Sequence, residues 1–219
     1  MIDEHARFRV AVLANDEQFK ELSSRNIPAA CEIIRLNNIS EISTQSSCLA
    51  FFDLLFEPVP ERFKYYAALR SPVFINCVEL TNASLQEIAN ASNSNVVRIN
   101  AWPGFISRPI LELAESSIDV RPIFEKLQWL FENVPDTPGM VSARIISMII
   151  NEAYLSLGEQ VSTKPEIDTA MKLGTNYPYG PFEWAERIGI EKIYQLLSLL
   201  AKTAPRYAPA PLLKKEALQ

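Results

Sequence analysis

The residues that say most about chemistry follow the first apolar run of the chain, Phe8-Arg9-Val10-Ala11-Val12-Leu13-Ala14. That run reads as a buried strand, and Asp16 to Ser23 behind it reads as a helix capped by Asn15 or Asp16. At such a junction a Rossmann unit holds phosphate oxygens on the backbone N–H groups of the helix N-terminus. The chemistry needs glycine, because only a residue without Cβ lets the backbone turn tightly and approach a pyrophosphate. All six glycines lie between Gly104 and Gly189. The loop is instead Ala14-Asn15-Asp16-Glu17, whose two carboxylates favour the dipole of an empty helix end and repel a phosphate. The second strand ends in Leu36-Asn37-Asn38, so Asn37, rather than a carboxylate, is what it offers to a ribose; an ordinary turn asparagine is the other reading.

Composition narrows the remaining chemistry. With 219 residues, 48% hydrophobic and 21% charged, the chain fits one large or two small domains with a sizeable core. A net charge of -5 and a pI near 5.1, with no basic run, exclude a nucleic-acid partner. Cys31, Cys48 and Cys77 are odd in number, widely spaced and without a CxxC pair, so neither disulfides nor a metal site is expected. Reduced, buried thiols in a cytoplasmic protein are the expectation. The single histidine, His5, precedes the first strand in an acidic N-terminus with no signal-type apolar core. The longest apolar segment, Met140 to Leu157, contains Arg144, Asn151 and Glu152 and falls short of the ~20 apolar residues of a spanning helix. No membrane association is expected.

The elements that position the loop follow from patterning. Further strands are expected at Glu32 to Leu36, Cys48 to Leu55, Val73 to Val78 and Val96 to Ile99, with helices at Pro60 to Leu69 and Asn82 to Ala91. Apolar strands alternating with helices predict an α/β unit whose sheet is mostly parallel and covered on both faces. Ser117 to Asn133 reads as one amphipathic helix through Ile123, Leu127, Leu130 and Phe131, which leaves the sheet a strand short. Val141 to Leu157 is apolar almost all round, a helix buried on several sides. Thr163-Lys164-Pro165-Glu166 is a capping box, and Gly174 is expected to stop the helix it starts, with Asp168 and Lys172 on one face. Tyr177-Pro178-Tyr179-Gly180-Pro181 is a rigid turn into a short helix, Phe182 to Ile188, stopped by Gly189. Ile190 to Lys202 is the last long helix, and the proline-rich tail through Pro211 is expected to be extended.

Taken in order, Thr137-Pro138-Gly139, Asn151-Glu152-Ala153, Ile167 to Gly174, Tyr177 to Glu183 and Arg206 to Lys215 resemble the C-terminal domain of the 3-hydroxyacyl-CoA dehydrogenase family. The resemblance implies a reduced Rossmann-like domain over residues 1–135. An all-α domain of the 6-phosphogluconate dehydrogenase C-terminal-like type follows over residues 136–219. It implies a homodimer paired through that helical domain, NAD as cofactor, and an acyl-CoA or other small molecule as ligand. In the family a histidine base takes the hydroxyl proton of a 3-hydroxyacyl-CoA while hydride leaves for NAD, and a glutamate twelve residues on orients the base. By resemblance Glu112 matches the glutamate, Asn100 stands in the histidine's slot and Pro103 in that of the following asparagine. Ser84, or Thr81, stands for a substrate-binding serine, and Ala143, beside Ser142, for a further active-site asparagine. An asparagine amide does not exchange a proton near neutral pH as imidazole does. Glu112 therefore has two readings: a base in its own right if burial raises its pKa, or a structural glutamate bonded to Asn100 or to backbone. Two functions stay open, a dehydrogenase with impaired activity and a non-catalytic dimeric binding or partner protein that retains the fold.

Overall fold

The computed structural model describes residues 7–90 and 95–219. His5 and the end of the expected helix to Ala91 lie outside them. The chain forms two compact units, residues 1–140 and 141–219. Residues 136–140 fall in the first unit because Asp136 pairs with Arg98 and the Gly139 N–H donates to the Val78 carbonyl.

Seven strands build the first unit: β1 Phe8–Leu13, β2 Cys31–Leu36, β3 Ala50–Asp53, β4 Val73–Asn76, β5 Val96–Ile99, β6 Ile110–Ala114 and β7 Leu130–Val134. They lie in the order β2-β1-β3-β4-β5-β6-β7, every pair parallel except β5 with β6. Residues alternate between the faces, so Val10 and Val12 enter one core with Phe52 and Phe74 while Ala11 and Leu13 enter the other with Phe51 and Ile75. Covering both faces are α1 Asp16–Ser23, α2 Pro60–Lys64, α3 Asn82–Ala89 and α4 Arg121–Leu127. Helix α2 is shorter than expected.

The single helix expected over 117–133 does not form. Helix α4 starts on Pro122 in its first turn and ends at Gln128, which is left-handed with φ 56°, and the Trp129 N–H closes back on the Phe124 carbonyl. Strand β7 follows, in register with β6 from Ile110 opposite Leu130 to Ala114 opposite Val134. No strand is missing at this end. The sheet is short at the other edge, where β2 alone lies beyond β1 and a full dinucleotide fold has two strands.

The second unit is all helical: α5 Ser142–Gly158, α6 Lys164–Thr175, α7 Pro181–Ile188, α8 Ile190–Ala201 and α9 Pro211–Ala217. The tail expected to be extended through Pro211 is extended only at Ala208 and Ala210, between a 3-10 turn and α9. A 3-10 turn, Pro205–Tyr207, leads into α9, and Asn151 clamps the joint by donating to the Ala208 carbonyl at 3.0 Å and accepting the Ala210 N–H at 2.7 Å. Gly174 does not stop α6; left-handed Asn176 does, one turn's end later. Among the described residues no helix is long and apolar enough to cross a membrane.

Arg98, fully buried within β5, donates to the Asp136 carboxylate and, through Nε, to the Cys77 carbonyl at 3.0 Å. Asp136→Ala strands that cation, so a loss of about 3 kcal/mol is expected in urea unfolding. In the second unit a Cβ on Gly180 would lie 2.3 Å from Asp168 Oδ1, whereas one on Gly174 meets nothing within 4 Å. Gly180→Ala is accordingly expected to destabilise by about 1–3 kcal/mol from overpacking, and Gly174→Ala to stabilise by about 0.5–1 kcal/mol, both read from urea midpoints.

Candidate functional site

Open α/β sheets bind ligands beyond the carboxyl ends of their strands, at the point where strand order reverses. Here that point lies between β1 and β3, since β2 flanks β1 on one side and β3 on the other. At the end of β1, Asn15 caps α1: its Oδ1 accepts the Gln18 N–H at 2.8 Å, and Gln18 Oε1 accepts the Asn15 N–H at 3.1 Å. This reciprocal capping box occupies two N–H groups of the helix end, those of Asn15 and Gln18. Arg35, at the end of β2, donates to Asp16 at 2.6 Å and to the Ala14 carbonyl at 3.3 Å. The residues at this helix end do not fit a dinucleotide. They present a carboxylate where a phosphate belongs and a filled cap where N–H groups should be open.

Asn37 does the work of a turn. Its N–H and side-chain amide both donate to Glu41, at 3.0 and 3.2 Å, and Asn38 donates to the same carboxylate at 2.9 Å. The serine candidates are likewise engaged locally: Thr81 caps α3, with its Oγ1 accepting the Ser84 N–H at 3.2 Å and lying 3.0 Å from the Ser84 hydroxyl. Ala143 is buried in the first turn of α5, in the second unit.

The structure does bring Asn100 and Glu112 together. Antiparallel pairing of Ile99 with Leu113 sets Asn100 opposite Glu112; the Asn100 N–H donates to the Glu112 carbonyl at 3.1 Å and its side-chain Nδ2 to the carboxylate at 3.2 Å. Asn100 Oδ1 accepts the Trp102 N–H at 3.3 Å, so a side chain only 2% exposed has both ends of its amide occupied. Such a pair fixes the turn out of β5, and the Asn100 half of it has no titrating group. Burial pushes the Cys31 and Cys77 thiols up to about 11, which disfavours their thiolate forms.

Sequence reasoning passed over a second polar cluster. Asp53, fully buried at the end of β3, accepts from Arg62 Nε at 2.7 Å and Nη2 at 2.6 Å, and from the Tyr66 hydroxyl. Burial, and next the Asp53 carboxylate, push the Tyr66 hydroxyl pKa far up, in keeping with its donating to that carboxylate. Its signal was an acidic residue inside the apolar run Cys48 to Leu55.

In the second unit Asp168 accepts the Phe182 N–H at 2.8 Å at the start of α7, and Lys172 pairs with Glu183. Burial raises the Asp168 pKa above the ordinary range against the opposing pull of that N–H. Burial also acts to raise Glu216, but donation from Lys164 and Tyr154 outweighs it and holds the carboxyl low. Asp168, Glu183, Glu186, Glu191 and Glu216 line a groove of about 460 Å³ with Lys164, a setting hostile to phosphates. A second groove, of about 570 Å³, is apolar, with Leu155, Leu157, Pro211 and Leu212 in its walls.

Residues 139–218 match the model of the 3-hydroxyacyl-CoA dehydrogenase C-terminal domain. The chain is 45% identical over 87 residues to 3-hydroxyadipyl-CoA dehydrogenase of Escherichia coli (strain K12), a match covering 39% of this chain and 18% of that protein. It is 35% identical over 112 residues to a probable 3-hydroxybutyryl-CoA dehydrogenase of Bacillus subtilis (strain 168), covering 50% of this chain and 39% of the relative. These matches thus span well under two thirds of the relatives' lengths. The crystal structure of (S)-3-hydroxybutyryl-CoA dehydrogenase from Ralstonia eutropha superposes with a TM-score of 0.68 over 96% of this chain and 93% of that one; at 18% identity it shows a shared fold.

Asn100→Ala removes two bonds inside a buried turn. An expected loss of about 1–3 kcal/mol, with the far-ultraviolet spectrum unchanged, is checked by urea unfolding followed by circular dichroism.

Proposed function

Because the chain belongs, through its C-terminal domain, to the 3-hydroxyacyl-CoA dehydrogenase family, we propose that it is a dehydrogenase-like protein without hydride transfer, acting as a dimeric binding or partner protein. The observation that carries the reading is Asn100, a doubly bonded amide in the slot of the family's base. Glu112 then orients an amide and holds a turn. NAD is the family's cofactor by resemblance, and the filled cap at Asn15 speaks against its use here. The homodimer draws support from α5, where Val141 and Ile145 are exposed apolar residues one turn apart. An acyl-CoA, or another small molecule with an apolar portion, matches the chemistry of the groove beside Leu155 and Leu212 better than that of the acidic one. The cytoplasm is the compartment we assign, on the three free cysteines.

A dehydrogenase with impaired activity is the second reading, and Glu112, still set against the base's position, favours it. Reduction of acetoacetyl-CoA by NADH separates the two. No turnover is expected, a deficit of at least about a hundredfold from the missing general base alone, and Asn100→His by itself is expected to restore none. Measurable turnover by the unaltered chain sinks the non-catalytic reading. Light scattering is expected to return twice the 24.7 kDa of the chain; a monomer removes the dimer from the proposal.

A further inference from the structure

The polar groups beyond the carboxyl ends of the strands do not merely fail to suit a dinucleotide; they bond to one another in a continuous series. Gln18 closes the cap on Asn15 after β1 and sends its Nε2 across the reversal point to the Leu54 carbonyl after β3, at 2.9 Å. Gln18 is 7% exposed, so this bridge is made out of water. Asn76, the last residue of β4, lies against the same carbonyl at 3.5 Å and accepts the Ala101 N–H, after β5, at 3.1 Å. Asn100, one residue earlier, completes the series to Glu112 on β6. Trp102, Phe105 and Ile106, which follow, are buried, and the Gly104 N–H donates to both oxygens of Glu21 on α1 at 2.8 Å. The loop after β5 is thereby tied back to the helix that would otherwise receive a phosphate.

We infer that this seam, from Asn15 and Gln18 through Leu54, Asn76 and Asn100 to Glu112, seals the reversal-point crevice from within, so that the chain takes no dinucleotide in any redox state. Gln18 is the element that substitutes for a ligand: one side chain satisfies the helix end and spans the crevice floor. A dinucleotide seated in the crevice has to break a buried amide bridge, displace the Arg35–Asp16 pair and leave the Leu54 carbonyl without its donor. The seal is separate from the absence of a base at Asn100, and the inference rests on the family reading only for which ligand to test.

Titrating the full chain with NADH, followed by nucleotide fluorescence and by thermal shift, tests it directly. No saturable signal and no rise in melting temperature are expected up to 1 mM, about the upper end of ordinary enzyme KM values. Saturable binding below that concentration overturns the seal, and if it comes without turnover the non-catalytic reading of the previous section survives. Gln18→Ala is expected to lower the melting temperature by about 2–4 °C, the shift that loss of ~1 kcal/mol produces in a chain of this size. An unchanged melting temperature removes Gln18 as the bridge. Should that variant not fold, hydrogen exchange on the unaltered chain decides: the Asn15 and Gln18 N–H groups are expected to be protected, and exchange at free-peptide rates contradicts the seam.

Discussion

Polar groups at the carboxyl ends of parallel strands have no further ladder to join, and in a buried crevice each must be satisfied by something. In a ligand-binding α/β sheet, that something is partly the ligand. In this protein it is the chain itself: Gln18, Asn76 and Asn100 are amide side chains, able to donate and accept at once, and each spans a gap between neighbouring strand ends. Three amides and one carboxylate therefore close the sheet's functional edge. The choice of residue type follows from the geometry, since a hydroxyl is too short for such a span and a charge too costly to bury unpaired.

The same accounting governs the buried charges. Arg98 and Asp53 lie on neighbouring parts of the sheet's interior, and each is paired with good geometry and supplementary bonds: Arg98 to Asp136 and two carbonyls, Asp53 to Arg62, Tyr66 and the Leu55 N–H. Neither cluster opens onto chemistry. Both instead tie non-adjacent segments to strand ends, Asp136 across 38 residues and Tyr66 across 13. Perturbed groups are often functional, but a fully satisfied network of this kind is the structural alternative, and here the bonding pattern selects it.

Much of this was legible in the sequence. Apolar runs marked β1 through β5, and the capping box at Thr163 marked the start of α6, because both signals are local. What escaped was non-local. Ile123, Leu127, Leu130 and Phe131 keep a helical period through a left-handed Gln128, so periodicity alone merged α4 with β7. The closing bonds of Gln18 and Asn76 go to backbone carbonyls of other strands, and no side-chain pattern announces a carbonyl. Asn100 and Glu112, twelve residues apart, meet because β5 and β6 pair antiparallel through Ile99 and Leu113.

The close approach of Gly180 to Asp168 bears on how such chains are sorted. That corner exists because Gly180 has no side chain, which leaves room for the Asp168 carboxylate to accept the Phe182 N–H. Its requirements are steric and are met without reference to any reacting atom. A match keyed to Gly180-Pro181-Phe182 therefore reads the shape of a helix corner and is silent on whether hydride is transferred. Sorting by activity has to use the loop after the first strand and Asn100, the residue that follows the fifth.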